Sequence, residues 1–288
     1  MRAGFVFLLF IAHTAFAQFK YVIDQSIPVT DQSNALLSMP WAGGLNVAQI
    51  NTLDLNGDGK QDLAVLDRTS DRVITFLNIN NQYQPAPEYE TYFPAEITNW
   101  MLLRDYNGDG RKDLFTGDNL GIKVFTNVTQ PGGQLQWKQF LFMGTGSKST
   151  VLLTKYSSGK INLQLSGDDL PSVSDADGDG DLDLFVPKYP HGSTIELHKN
   201  FSVERYASTD SLDFERTTTA WGGVTECDCG VFAFNDNACS VGGRLKHAGG
   251  KSLLAFDADG DGDQDMVISE SECSQPYLLK NEGTNDAP

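Results

Sequence analysis

Positive charge is scarce in this chain: 21 Lys and Arg stand against 38 Asp and Glu, for a formal net charge of −17. Nothing resembles a basic patch that could neutralise a phosphate backbone, which excludes nucleic acid as a partner. Histidine is rarer still, with four among 288 residues. His191, His198 and His247 lack the spacings of a histidine metal site, and His198 reads as an ordinary strand residue. Beyond the N-terminus no segment is apolar enough for a membrane span, which needs ~20 residues. Helical periodicity never lasts more than a turn or two. No Gly-x-Ser-x-Gly elbow occurs. Met143-Gly-Thr-Gly-Ser-Lys-Ser-Thr150 lacks the glycines of a phosphate loop and reads as a hairpin turn. No catalytic residue is assigned, although a pair of glycosidase carboxylates among so many acids would leave no signature of its own.

What the chain has in abundance is one acidic device used four times. Asp175-Ala-Asp177-Gly-Asp179-Gly-Asp181-Leu-Asp183 packs five carboxylates into nine residues and runs directly into Leu184-Phe185-Val186. Carboxylates that dense repel one another unless a cation sits among them. Side-chain oxygens at positions 1, 3 and 5, a backbone carbonyl at 7 and an acid at 9 can wrap one hard ion, and all-oxygen ligation suits calcium. The other copies are Asp54, Asn56, Asp58, Lys60 and Asp62; Asp105, Asn107, Asp109, Arg111 and Asp113; and Asp257, Asp259, Asp261, Asp263 and Asp265, at the same five positions. Each copy has Gly at positions 4 and 6 and Leu or Met at position 10. Up to four Ca2+ sites are expected. Much of the acidity is then ligand rather than partner surface, because four calcium ions would offset eight units of charge.

An EF-hand begins with the same spacing but needs a bidentate Glu at position 12 between two helices. Position 12 here is Val65, Thr116, Val186 or Ile268, and strand-like sequence follows each loop. A second anchor recurs about two dozen residues after each first Asp: an apolar strand ending at Asn78, Asn127, Asn200 or Asn281. The unit is therefore strand, loop, strand, turn, strand. First Asp positions are 51, 70 and 82 residues apart. The second interval has room for an outer strand and an extra hairpin, and the third carries a Gly-rich, Cys-bearing insertion at 221–250. Four-stranded units at such periods point to an all-β propeller. Four blade-like units are expected over 47–288, after a lead-in at 18–46. No fourth strand follows the last unit, so the expectation is an incomplete, N-terminal part of a larger propeller.

At the start, Arg2, the apolar run Phe5 to Ala12 and Ala15-Phe-Ala17 have the layout of a signal peptide over residues 1–17. In an exported chain the even set Cys227, Cys229, Cys239 and Cys273 suggests two disulfides. Cys227 and Cys229 are too close to pair comfortably, so each is expected to bond to Cys239 or Cys273. Asn127-Val-Thr129 and Asn200-Phe-Ser202 are sequons, relevant only in a eukaryotic secretory route.

With these residues in view, the chain resembles the FG-GAP/VCBS-type repeats of calcium-binding β-propellers, best known from the integrin α-subunit head. The signal peptide, wide blades and Cys-bearing insertion look most like large secreted proteins of Bacteroidetes-type bacteria. The resemblance covers about residues 45–283 and implies that each loop joins strands of one blade and ligates calcium through the five positions named above. Phe-Gly and Gly-Ala-Pro signatures of integrin repeats are absent, so an integrin-like ligand face is not implied. The resulting expectation is a secreted or cell-surface scaffold for an extracellular protein or glycan ligand. The alternative is an exported polysaccharide hydrolase or lyase with catalytic residues in an insertion or beyond residue 288.

Overall fold

The computed structural model describes Asp24, residues 26–144 and 146–235, Cys239 and residues 250–284. The leader at 1–17 and the strand-like Lys20 to Ile23 lie outside the described residues, as does most of the second half of the 221–250 insertion. The chain divides into a small unit through Trp41 and a large one from Ala42 to Pro288. Among the described residues of the small unit is a turn in which Asp31 Oδ1 accepts the backbone N–H groups of Ser33 and Ala35. A bridge between Thr30 and Leu36 closes that turn.

The large unit holds four blades arranged as a β-propeller, each built on antiparallel strands, with two separate two-stranded hairpins besides. Blade 1 holds β1 (Ala48–Leu53), β2 (Asp62–Asp67), β3 (Arg72–Ile79) and β4 (Gln82–Pro85) in that order. Blade 2 repeats the order with β5 (Thr98–Arg104), β6 (Asp113–Asp118), β7 (Gly121–Asn127) and β8 (Trp137–Gln139). A small hairpin pairs β9 (Phe142–Met143) with β10 (Lys148–Ser149), on either side of the Gly-Thr-Gly-Ser stretch. The extra hairpin follows as β11 (Leu153–Tyr156) and β12 (Gly159–Asn162).

Blade 3 comprises β13 (Ser172–Ser174), β14 (Asp183–Pro187), β15 (Ile195–Asn200) and β16 (Phe214–Thr218), with the short helix α1 (Ser202–Tyr206) before its last strand. The extra hairpin does not stand alone. β11 pairs in parallel with β16, which widens blade 3 to six strands. Next come β17 (Val224–Asp228) and β18 (Val231–Phe234), then the three-stranded blade 4 of β19 (Lys251–Phe256), β20 (Asp265–Glu270) and β21 (Tyr277–Leu279). Disulfides join Cys227 to Cys239 and Cys229 to Cys273, so the β17–β18 hairpin is tied to the turn between β20 and β21 of blade 4.

The second strand of each blade explains why these sequences run apolar instead of alternating. A strand with packed neighbours on both faces needs apolar residues at every position. From blade 2 onward position 10 packs back toward the preceding blade: Leu114 lies in the cluster with Leu53 and Leu66, Leu184 with Phe115 and Ile122, and Met266 with Phe185 and Leu197. Position 11 packs forward, with Ala64 against blade 2, Phe115 against blade 3 and Phe185 against blade 4. Phe115 and Phe185 are fully buried, each contributing roughly 2–3 kcal/mol by burial. Val267, at the same position in blade 4, is only half-buried, and Leu254 and Phe256 on the neighbouring strand are exposed.

The first strands of blades 1 and 2 are also joined by side-chain amides. Asn51 donates through Nδ2 to the Met101 carbonyl and accepts from the Leu103 N–H, at 2.9 and 3.1 Å. Between blades 3 and 4, Ser172 Oγ accepts from the Ala255 N–H at 2.9 Å. These contacts align the first strands, and with them the loops that leave their ends.

Candidate metal-binding loops

Each acidic loop connects the first and second strands of its blade at one register. Leu53 faces Asp62, Arg104 faces Asp113, Ser174 faces Asp183 and Phe256 faces Asp265. Glycines at positions 4 and 6 all have φ between +70° and +96°, a left-handed region that costs an L side chain about 1 kcal/mol or more. That conformation turns the position-6 N–H inward. Gly59, Gly110, Gly180 and Gly262 donate to Oδ2 of the position-1 Asp of their own loop, at 2.8 to 3.0 Å.

Position 9 does something the spacing does not announce. Asp62, Asp113, Asp183 and Asp265 are all buried. In every blade Oδ2 accepts the N–H of loop position 2 (Leu55, Tyr106, Ala176 or Ala258) at 2.8 to 3.1 Å. Oδ1 accepts the N–H of the Asn that ends the third strand (Asn78, Asn127, Asn200 or Asn281) at 2.7 or 2.8 Å. One carboxylate thus brackets the start of the loop to the end of the blade's third strand. The recurrent Asn of the sequence is the other half of that bracket. In blades 1 and 2 its side chain also donates to the carbonyl of loop position 8, Gln61 or Lys112.

The loops differ in their carboxylates. At the third, oxygens of Asp175, Asp177 and Asp183 converge within 4.8 Å, and at the fourth those of Asp257, Asp259 and Asp265 do the same. Asp177 Oδ1 and Asp179 Oδ2 are buried without a hydrogen-bond partner. Orphaned carboxylate oxygens facing one another fit a hard divalent cation, whose all-oxygen coordination would supply the missing partner. Burial pushes Asp183 up to about 8 and Asp113 up to about 7. Asp179 and Asp263 are also raised, by burial and then by neighbouring carboxylates. At the first and second loops position 3 is Asn56 or Asn107, whose Oδ1 accepts the N–H of position 5.

Each loop also has one cation resting on it. In the first two it is the position-7 side chain: Lys60 Nζ lies 3.6 Å from Asp58 Oδ2, and Arg111 pairs with Asp109. In the last two it comes from the third strand. Lys199 Nζ is 2.7 Å from Asp177 Oδ2 and Lys280 Nζ is 3.1 Å from Asp259 Oδ2. Lys199 and Lys280 each precede the bracket Asn, but spacing within the loops gave no reason to single them out.

Two further features lie outside the repeat pattern. Between the first two loops, Leu53, Leu55 and Leu135 line a cavity of about 370 Å3 that Asp54, Arg111 and Gln130 also border. On β15, His198 is fully buried, bonded through Nδ1 to Thr154 Oγ1 at 2.9 Å and through Nε2 to Glu196 at 3.3 Å. Arg216 completes the set on Glu196 at 2.8 Å. This network pins the extra hairpin to blade 3, a role that a reading of His198 as a plain strand residue missed.

No curated protein matches the chain. Among solved structures it is similar to an Agrocybe aegerita lectin that recognises non-reducing terminal N-acetylglucosamine, at 17% identity and a TM-score of 0.40. That alignment covers 83% of this chain and 50% of the lectin, so the chain spans about half of the lectin's length. Residues 54–116, which contain the first two loops, match the family model described as the FG-GAP-like repeat.

Proposed function

We propose that this chain is an exported or cell-surface binding scaffold whose blades are held in shape by calcium, and that it displays its surface to an extracellular protein or glycan. The observation that carries this reading is the four-fold cradle. One backbone bracket presents a set of carboxylates at the same corner of every blade. In the last two blades three acids crowd within 4.8 Å of one another. A fold that only needed hairpins at these corners would gain nothing from that repulsion. Calcium, bound at a hundredfold excess over its Kd, would favour the folded state by about 2.7 kcal/mol per site.

Export agrees with the leader-like start and with two disulfides, which persist in oxidising compartments. The groove between the first two loops, with an apolar floor and a polar rim, is where this reading places the ligand. The test is a glycan and protein array beside a turnover assay on the retained polysaccharides, each run in calcium and in chelator. Calcium-dependent retention without turnover is the expected result. Turnover of a retained polysaccharide, or a melting temperature indifferent to the chelator, would overturn the reading.

A further inference from the structure

The third loop differs from the other three in what lies over it. Helix α1 follows the bracket residue Asn200 and is held by the side chain at loop position 7. Asp181 Oδ2 accepts the N–H groups of Ser202 and Val203 at 3.0 and 3.1 Å. No N-cap side chain performs that task, since the N-cap residue is Phe201. Held in this way, α1 carries Glu204 to the loop, where its carboxylate lies within 4.8 Å of Asp177 and Asp179.

A second observation shows that this is more than a crowd of acids. Asp181 is fully buried, and its other oxygen, Oδ1, has no hydrogen-bond partner. The carboxylates that bear on it are those of Asp179 and Glu204. Asp177 Oδ1 and Asp179 Oδ2 are orphaned in the same place. The unpartnered oxygens of Asp177 and Asp179, with Glu204 brought within 4.8 Å of both residues, form a donor set that a divalent cation would satisfy, and the buried, unpartnered Asp181 Oδ1 lies beside it.

We propose that Glu204 belongs to the calcium-binding set of the third loop, so that calcium there fastens α1 over the loop. This rests on the calcium reading above and extends it, because the side-chain ligands inferred from the repeat all lie inside the loops. Fastening α1 also reaches the neighbouring blade. Past the helix, Thr209 donates through Oγ1 to the Asn107 carbonyl of the second loop at 2.9 Å. The segment from Ser202 to Thr209 thereby spans two of the four loops.

Calcium titration of the wild-type chain and of Glu204→Gln by isothermal calorimetry tests the assignment, with hydrogen exchange at the α1 amides as an independent readout. Glu204 is exposed, so the substitution leaves the core untouched. Asp181→Asn serves as a second variant, because it keeps an oxygen to receive the Ser202 and Val203 N–H groups while removing the charge. Each variant should weaken one calcium site about tenfold without changing the number of ions bound. Calcium should protect α1 amides in the wild type and much less in Glu204→Gln. A wild type that takes up calcium with an isotherm and α1 protection unchanged by Glu204→Gln overturns this assignment alone. A wild type that takes up no calcium overturns the calcium reading itself.

Discussion

The loops at 54–62 and 105–113 and those at 175–183 and 257–265 share one backbone and carry different charge. All four are bracketed by a buried Asp whose two oxygens take the same two N–H groups. The first pair sets three carboxylates against one contacting cation from position 7, whereas the second sets five against one lysine from the third strand. What the loops share is therefore what the fold requires, and what varies is what an ion would feel. Affinity in such loops follows ligand charge and rigidity. On charge the second pair should hold calcium more tightly, and Glu204 gives the third loop a further advantage.

The largest effect should come from the shared part and fall equally on both halves. Asp183→Ala leaves two buried N–H groups without acceptors and Asp62→Ala one buried and one part-buried, at about 1–3 kcal/mol each. Each variant should lose about 2–6 kcal/mol in chemical denaturation measured in chelator. A loss confined to the C-terminal variant would show that the bracket matters only where the charge is high.

That bracket also separates what was legible in the sequence from what was not. Gly at positions 4 and 6, the Leu or Met at 10 and the returning Asn were all visible as a pattern, and the propeller followed from them. Their causes were not visible. Leu114 and Leu184 face the preceding blade, a fact that exists only once blades stack. Asn78 acts through its backbone N–H, which every residue but proline has, and through a side-chain bond to the Gln61 carbonyl, and neither partner can be read from its recurrence in the sequence. Lys199, Lys280 and Glu204 reach the loops from 15 or more residues away, across turns whose geometry no spacing rule encodes. The extra hairpin was legible as a hairpin, but its docking on β16 depends on a parallel pairing 60 residues apart in sequence.

A medium effect is expected from pH. Burial raises Asp183 to about 8 and Asp113 and Asp181 to about 7 in the metal-free chain. A raised folded-state pKa means that the native chain keeps protons the unfolded chain has shed. Stability in chelator should therefore fall as pH rises from about 4, near the unfolded value, through 7 to 8. Two of these three groups belong to the third loop, so the C-terminal half dominates the loss. Saturating calcium replaces those protons and should flatten the profile between pH 5.5 and 8. Melting curves at several pH values, with and without calcium, check both parts; a chelated protein that gains stability up to pH 8 would contradict them.

The smallest effects should come from the resident cations. Removing Lys199, which is mostly buried against Asp177, should tighten the third site about two- to fivefold, the equivalent of ~0.5–1 kcal/mol. Removing Lys60, half exposed and 3.6 Å from its partner, should change the first site by less than about twofold. Calcium titrations of Lys199→Met and Lys60→Met compare the two. A larger gain at Lys60 would mean that exposure does not set the screening.

The central claim is that one cradle serves four cation sites and that charge ranks them. Calorimetric titration of calcium into the wild type, Asp179→Ala and Asp58→Ala tests it most directly. The wild type should bind in a tighter and a weaker class, Asp179→Ala should lose a tighter site, and Asp58→Ala a weaker one. A wild type that binds no calcium, or an Asp58→Ala variant that loses the tighter class, would contradict the account.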